Sequence, residues 1–260
     1  MNFLLTNDDG IHARGLRALH ATLSDIADCL VVAPEREQSA VGHAITLTRP
    51  LMVRQVREND TFSGFAVTGT PADCVKIGIK ELSAVPVDLV VSGINLGPNV
   101  GIDVIYSGTV SAATEAAILG VPSMAVSLDT RKHDADFSFA ARFAGKIAEF
   151  VINNRGMLAG IPLNINVPAL PEAEINGVAV TKQGRAQLVE IFEKREDPRR
   201  NTYYWLAGET FIPDRSETMD SDTHALKNGM VTITPIHYDL TRYDVLPALR
   251  VSVQELFSGS

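Results

Sequence analysis

Two adjacent carboxylates, Asp8 and Asp9, stand where the apolar run Phe3-Leu4-Leu5-Thr6 gives way to a turn, Asn7-Asp8-Asp9-Gly10. Neighbouring carboxylates repel unless a positive charge lies between them, and a divalent cation is the simplest such charge. Two further oxygen donors follow other apolar runs. Ser39, in Gln38-Ser39-Ala40-Val41-Gly42, comes shortly after Cys29-Leu30-Val31-Val32-Ala33. Asn95, in Gly93-Ile94-Asn95-Leu96-Gly97, comes after Asp88-Leu89-Val90-Val91. Carboxylates, a hydroxyl and an amide carbonyl are hard ligands, suited to magnesium or manganese and poorly to zinc or copper. Singly, each has an ordinary explanation: an Asx turn for Asp8-Asp9-Gly10, a turn cap for Ser39, a left-handed loop position for Asn95. Their recurrence at strand ends is what favours a metal site.

A second constellation is Tyr106-Ser107-Gly108-Thr109-Val110-Ser111, at the expected start of a helix. A helix N-terminus offers unpaired N–H groups and a dipole that favours anions. Gly108 lets a phosphate approach the backbone, and the Ser107 and Thr109 hydroxyls add donors. Ordinary N-capping by Ser107 or Thr109 is compatible with that role. Together the two constellations suit metal-assisted phosphoryl hydrolysis. Asp8, Asp9 and Asn95 are the catalytic candidates, and Asp8, Asp9, Ser39 and Asn95 are the ligands of one Mg2+ or Mn2+. Ser107, Gly108 and Thr109 then hold phosphate. Attack by a metal-held water and attack by an aspartate carboxylate both remain open. Rival chemistries lack their motifs. The chain has no Gly-x-Gly-x-x-Gly after the first strand, no Gly-Lys-Ser/Thr P-loop and no Gly-x-Ser-x-Gly elbow. His43 lies near Ser39 in sequence, but a surface or satisfied histidine is the simpler reading.

The elements that must position these residues alternate between strand and helix. A strand at Phe3–Thr6, a helix carrying Leu16, Leu19, Leu23 and Ile26, and a strand at Cys29–Ala33 form a β-α-β unit with parallel strands. Leu51–Val56 alternates, as suits an antiparallel pair or flap. Thr70 caps a helix with Pro71 at its first position. A buried strand at Asp88–Gly93, a helix at Thr109–Leu119 closed by Gly120, and a strand at Met124–Leu128 follow. A long helix marked by Phe137, Ala140, Ala144, Ile147, Ala148 and Val151 leads to a strand at Leu163–Val167. This pattern predicts an α/β fold: a Rossmann-like, mostly parallel open sheet with helices on both faces and a C-terminal extended arm or hairpin. The expected division is a catalytic core over 1–181, a projecting oligomerisation arm over 182–228, and a strand plus helical tail over 229–260 that return to the core. Thr202-Tyr203-Tyr204-Trp205-Leu206 on the arm suggests contact with another subunit.

Lys and Arg number 23 against 31 Asp and Glu, a net charge of -8, which argues against binding a nucleic-acid polymer through a broad basic surface. The start lacks a basic n-region, and no apolar run approaches the ~20 residues of a spanning helix. A soluble, cytoplasmic protein without a membrane partner is expected. Cys29 and Cys74 read as buried reduced thiols.

At these residues the chain closely resembles the SurE family of stationary-phase survival nucleotidases. The matching segments are Leu4–Gly10, Val32-Ala33-Pro34, Ser39 with Ile45-Thr46-Leu47, and Gly69–Val75. They continue through Val91–Asn99, Tyr106–Val110, Leu163–Pro168 and Val231–Pro235. The resemblance implies a Rossmann-like core, divalent metal on Asp8, Asp9, Ser39 and Asn95, and phosphate near Ser107, Gly108 and Thr109. It also implies hydrolysis of nucleoside 5′- and 3′-monophosphates, with short polyphosphate in some members. A homodimer or homotetramer built by exchange of C-terminal arms is implied as well. Ala40 departs from the glycine of many members, and the tail from Asp244, with Pro247, matches no pattern of the family. A sensor that binds nucleotide or phosphate without turnover is the rival reading. Retention of all four ligands argues against it.

Overall fold

The computed structural model describes residues 1–58, 61–212 and 218–258. In chain order its elements are β1 (Asn2–Thr6), α1 (Arg14–Leu23), β2 (Asp28–Pro34), β3 (Val53–Glu58), β4 (Phe62–Val67) and α2 (Pro71–Ile77). Next come β5 (Leu89–Leu96), α3 (Gly108–Ile118), β6 (Ser123–Asp129), α4 (Ser138–Asn153), β7 (Leu163–Pro168) and β8 (Val178–Val180). The last are β9 (Gln187–Glu196), β10 (Thr202–Ile212), α5 (Asp222–Lys227), β11 (Val231–Pro235) and α6 (Leu246–Ser258).

β1 shows how the sequence builds the layers. Its side chains alternate between two faces, so Phe3 and Leu5 point one way and Leu4 the other. Phe3 and Leu5 pack with Leu16, Leu19 and Leu23 of α1 and Ala140, Ala144 and Ala148 of α4. Leu4 packs with Cys74 and Val75 of α2 and Ala112 and Ala116 of α3. A strand covered on both faces reads as a continuous apolar run, which is why β1, β2 and β5 were legible as such.

The nine-stranded sheet has the order β3-β4-β2-β1-β5-β6-β7-β11-β8. Its centre is parallel; β3 runs antiparallel to β4, and β11 antiparallel to β7. The expected mostly parallel open sheet with helices on both faces is therefore observed. The chain moves from β1 to β2 on one side and returns to β5 on the other. Such a switch point opens a crevice beyond the carboxyl ends of the strands.

Several local expectations sharpen. The alternating segment near residues 51–56 becomes β3, and its partner β4 joins the main sheet beside β2. β5 does not end at Gly93 but continues through Asn95, with a register shift against β6 between Ser92 and Asn95. Gly93 has φ 135°, and a Cβ there would stand 2.3 Å from the Val126 carbonyl oxygen, so only glycine fits. Thr70 caps α2 with a reciprocal bond to Asp73, and Pro71 occupies its first turn.

The polar stretch from Lys182 contains β9 and β10, an antiparallel hairpin forming its own two-stranded sheet. It also contains the short helix α5, which its composition did not announce. Residues 213–217 of that stretch, and the last two of the tail, lie outside the described residues. β11 joins the main sheet between β7 and β8. α6 differs from the expected return to the core: it has no buried residue.

Candidate active site

The loop after β1 is tied by its own side chain. Asn7, fully buried, donates from Nδ2 to the Gly10 carbonyl at 2.9 Å and accepts the Gly10 N–H at 3.2 Å. This turn places Asp8 and Asp9 beyond the carboxyl end of β1, where Asp8 meets Thr109 and Asp9 meets Leu96 of β5. Asp8 is 6% exposed and meets the start of α3. Its Oδ1 accepts the Thr109 hydroxyl, and a Cβ on Gly108 would lie 2.8 Å from the Asp8 Cβ. Gly108 is thus required for the close approach of helix and carboxylate.

Asp9 accepts the Leu96 N–H at 3.3 Å, which places it beside Asn95. The Asn95 Nδ2 donates to the Gly97 carbonyl at 2.7 Å, leaving the side-chain oxygen Oδ1 of Asn95 without a hydrogen bond among the described residues. The loop carrying Ser39 is anchored by the Gln38 N–H, which donates to the Asp8 carbonyl at 2.7 Å. Gly42 N–H holds the same loop to the Tyr106 carbonyl at 2.9 Å. The Ser39 hydroxyl itself is exposed and donates to Glu37, not to either aspartate. Ser107 caps α3 by accepting the Val110 N–H at 3.1 Å, which leaves its own O–H free to donate. The seven candidates therefore gather at one end of the sheet. Thr109 differs from the expectation of a hydroxyl offered to phosphate, because its hydroxyl is used to orient Asp8.

The electrostatics fit a missing positive charge. Burial pushes the Asp8 carboxyl above its usual range, although the Thr109 hydrogen bonds pull the other way. Burial, followed by the Asp8 charge, pushes Asp9 up to about 7. Glu37, which sequence reasoning passed over, adds its own negative charge to both. Among the described residues, no cluster of three or more His, Cys, Asp or Glu side chains offers a metal cage. The donor set here has two carboxylates, with a hydroxyl and an amide oxygen as the rest. That set fits a hard dication, which would relieve the repulsion between the two aspartates.

The family model described as Survival protein SurE matches residues 3–190. The chain belongs to the SurE family. It is 64% identical over 250 residues to the 5′-nucleotidase SurE of Syntrophus aciditrophicus (strain SB), covering 96% of this chain and 93% of that one. It is 50% identical over 249 residues to the 5′-nucleotidase SurE of Syntrophobacter fumaroxidans (strain DSM 10017 / MPOB), covering 96% and 98%. The crystal structure of the SurE protein from Aquifex aeolicus superposes with a TM-score of 0.81 at 41% identity, over 96% of this chain and 99% of that one. Family membership implies a divalent-metal cofactor. Among the described residues, no helix is long and apolar enough to cross a membrane.

Another buried carboxylate of this SurE fold has no sequence signal. Glu115 of α3 is 3% exposed and bonds His43 Nε2 at 2.7 Å and the Lys76 ammonium. His43, read as a satisfied histidine, is one. Among an alanine-rich helix, nothing marked Glu115 as paired. Cys29 and Cys74 are free thiols, the first half-buried and the second buried.

Proposed function

We propose that this chain is a divalent-metal-dependent phosphoric monoester hydrolase that converts nucleoside 5′-monophosphates, and 3′-monophosphates, to nucleoside and phosphate. Short polyphosphate is a further candidate substrate. The observation that carries this reading is the meeting of the Asp8-Asp9 pair with the first turn of α3. It supports a dication site beside phosphate donors, in a chain 64% identical to a relative named 5′-nucleotidase SurE.

Asp8, Asp9, Ser39 and Asn95 would hold Mg2+ or Mn2+. When bound, the ion neutralises the carboxylate pair and polarises a phosphoryl oxygen. Thr109 fixes the rotamer of Asp8 through its hydroxyl. The Leu96 N–H holds one oxygen of Asp9, and the other faces no hydrogen-bond donor among the described residues. That free oxygen is suited to take the proton of an attacking water. The alternative is direct attack by an aspartate oxygen. The Ser107 O–H and the backbone around Gly108 and Thr109 stabilise the non-bridging oxygens as charge shifts toward the leaving group.

The hairpin and α6 support a homodimer or homotetramer formed by exchange of C-terminal arms. An isolated two-stranded hairpin is marginal in water. This one exposes Ile191, Phe192, Tyr204, Trp205 and Leu206, while α6 exposes Leu249, Leu256 and Phe257. Light scattering after size exclusion reads the assembly, and a monomer would remove this part of the proposal. Two free thiols fit a reducing, cytoplasmic location.

The test is phosphate release from a panel of nucleoside monophosphates with magnesium, with manganese and with chelator. Release that requires the cation and favours monophosphates is expected. A folded protein that binds nucleotide but releases no phosphate with either cation would make it a sensor instead.

A further inference from the structure

Asp222 begins the six-residue helix α5, far in sequence from the crevice, and its side chain is fully buried. Its carboxylate accepts three separate backbone N–H groups. These are Gly101 at 3.3 and 3.2 Å to its two oxygens, Gly184 at 2.8 Å and its neighbour Thr223 at 2.7 Å. Hydrogen bonds to a charged acceptor are stronger than neutral ones, and a buried carboxylate bonded this way holds its partners firmly. Gly184 lies at the entry root of the β9–β10 hairpin, and Asp222 follows the hairpin's exit. The two roots are also bonded directly, the Asp222 N–H to the Lys182 carbonyl at 2.9 Å and the Lys182 N–H to the Asp220 carbonyl at 3.0 Å.

Gly101 is the point where this clamp meets the crevice. It sits in the loop between Asn95 and Ser107. Its carbonyl accepts Gln183 Nε2 at 2.7 Å, and the following N–H, of Ile102, donates to the Ala186 carbonyl at 3.1 Å. Its φ is +58°, and a Cβ would stand 2.6 Å from the Ala186 carbonyl oxygen. From Gly101 a single helical turn, Gly101–Ile105, leads to Ser107, whose N–H bonds the Asp103 carbonyl at 3.1 Å. The other end of the loop is pinned independently. The Asn99 N–H bonds Asn166 Oδ1 at 2.7 Å, the Asn99 carbonyl accepts Asn164 Nδ2 at 2.7 Å, and Asn99 Nδ2 bonds Ser127 at 2.8 Å.

We propose that Asp222 is a positioning residue for the reaction: by fixing Gly101 against the roots of the hairpin, it sets where Ser107 and the first turn of α3 present their donors to phosphate. The inference rests on the phosphate-site reading of Ser107, Gly108 and Thr109. It adds that the cradle's geometry is set by the base of the arm, so a change at the arm's roots is felt as weaker phosphate binding.

The experiment compares wild type with Asp222→Asn, Gly101→Ala and the double variant, all as full-length chains. The readouts are kcat and KM for adenosine 5′-monophosphate and the inhibition constant of inorganic phosphate. Each single variant is expected to raise KM and the phosphate inhibition constant on the order of tenfold, with a smaller change in kcat. The double variant is expected to fall well short of the product of the two, because both act through one contact. A merely structural role would lower the active fraction, and so kcat, and leave both constants unmoved. That outcome, or independent effects in the double variant, overturns the proposal. If Asp222→Asn does not fold, Gly101→Ala decides by the same constants. Ser107→Ala serves as the control for the underlying reading. If it leaves phosphate inhibition unchanged, the cradle assignment fails whatever Asp222 does; if it weakens inhibition while the other variants do not, only the positioning role fails.

Discussion

Helix α3 borders one carboxylate pair and carries another buried carboxylate, and the fold treats the two in opposite ways. Near its N-terminus, Thr109 meets Asp8, with Asp9 close by. Six residues further on, about 9 Å along a helix, Glu115 is equally buried. Burial alone would raise the Glu115 carboxyl, but hydrogen bonds from His43 and Lys76 outweigh it and hold the group below its usual range. Asp8 and Asp9 have only neutral donors and one another, and both are pushed up. The difference teaches where function resides. Glu115 is a finished structural pair that fastens the loop of His43 onto α2 and α3. The aspartate pair is left short of positive charge, and a chain that can bury Glu115 with Lys76 beside it has the means to do the same for Asp8. On the proposed reading, a cation from solution completes the aspartate site, which is the charge the fold itself withholds there.

The comparison breaks most sharply under Asp8→Asn. This change keeps shape and removes charge, so phosphate release at saturating manganese should fall about a thousandfold or more while the circular dichroism is kept. Retention of more than about a tenth of the activity would show that the pair is not the reacting centre. The next effect is thermal. A cation present at about a hundred times its dissociation constant stabilises the fold by about 2.7 kcal/mol. Wild type and Glu115→Gln should both gain this in calorimetry, and Asp8→Asn should not. Equal gains in all three would place the cation elsewhere. Glu115→Gln should itself cost about 2 kcal/mol in denaturant unfolding. That is less than a fully buried pair, because His43 and Lys76 reach solvent at 33% and 36% side-chain exposure. A cost near zero would mean that the pair only breaks even.

The sequence made one of these sites legible and hid the other, for physical reasons. The aspartates follow a continuous apolar run, and an open sheet brings the ends of such runs together. Ser39 and Asn95 could therefore be grouped with Asp8 across long chain distances. Glu115 has partners 72 and 39 residues away, on a loop and on a neighbouring helix, and no periodicity announces them. β4 has no sequence signature because Phe62-Ser63-Gly64-Phe65 lacks a clean alternation. Gly64 is there because Val31 of β2 comes close, 2.9 Å from where its Cβ would be. The sequence points to an arm or hairpin here but does not mark its strands, because β9 carries charges on both of its faces and has no apolar two-residue period. Thr109 could be placed at the helix start from sequence. That its hydroxyl faces Asp8 required the packing of Gly108 against that side chain.

The last difference between the two sites is one of sign rather than size. Glu115 is held below its ordinary value of 4.5 in the folded chain. Its stabilisation is therefore fully present above the unfolded value and is lost as pH falls through the folded one. As pH falls below 4.5 the stability gap between wild type and Glu115→Gln should narrow progressively, as read by urea unfolding at a series of pH values. Asp9 runs the other way. Its folded carboxyl lies near 7 against an ordinary 3.8, so the metal-free fold binds the extra proton and weakens as pH rises between those values. With chelator present, wild type should lose stability from pH 4 to 7, and Asp9→Asn should flatten that trend. Manganese should reverse it in wild type, because the cation binds the ionised pair. A wild-type curve that rises over this interval in chelator would mean that the pair already has a countercharge within the fold, and the contrast with Glu115 would be lost.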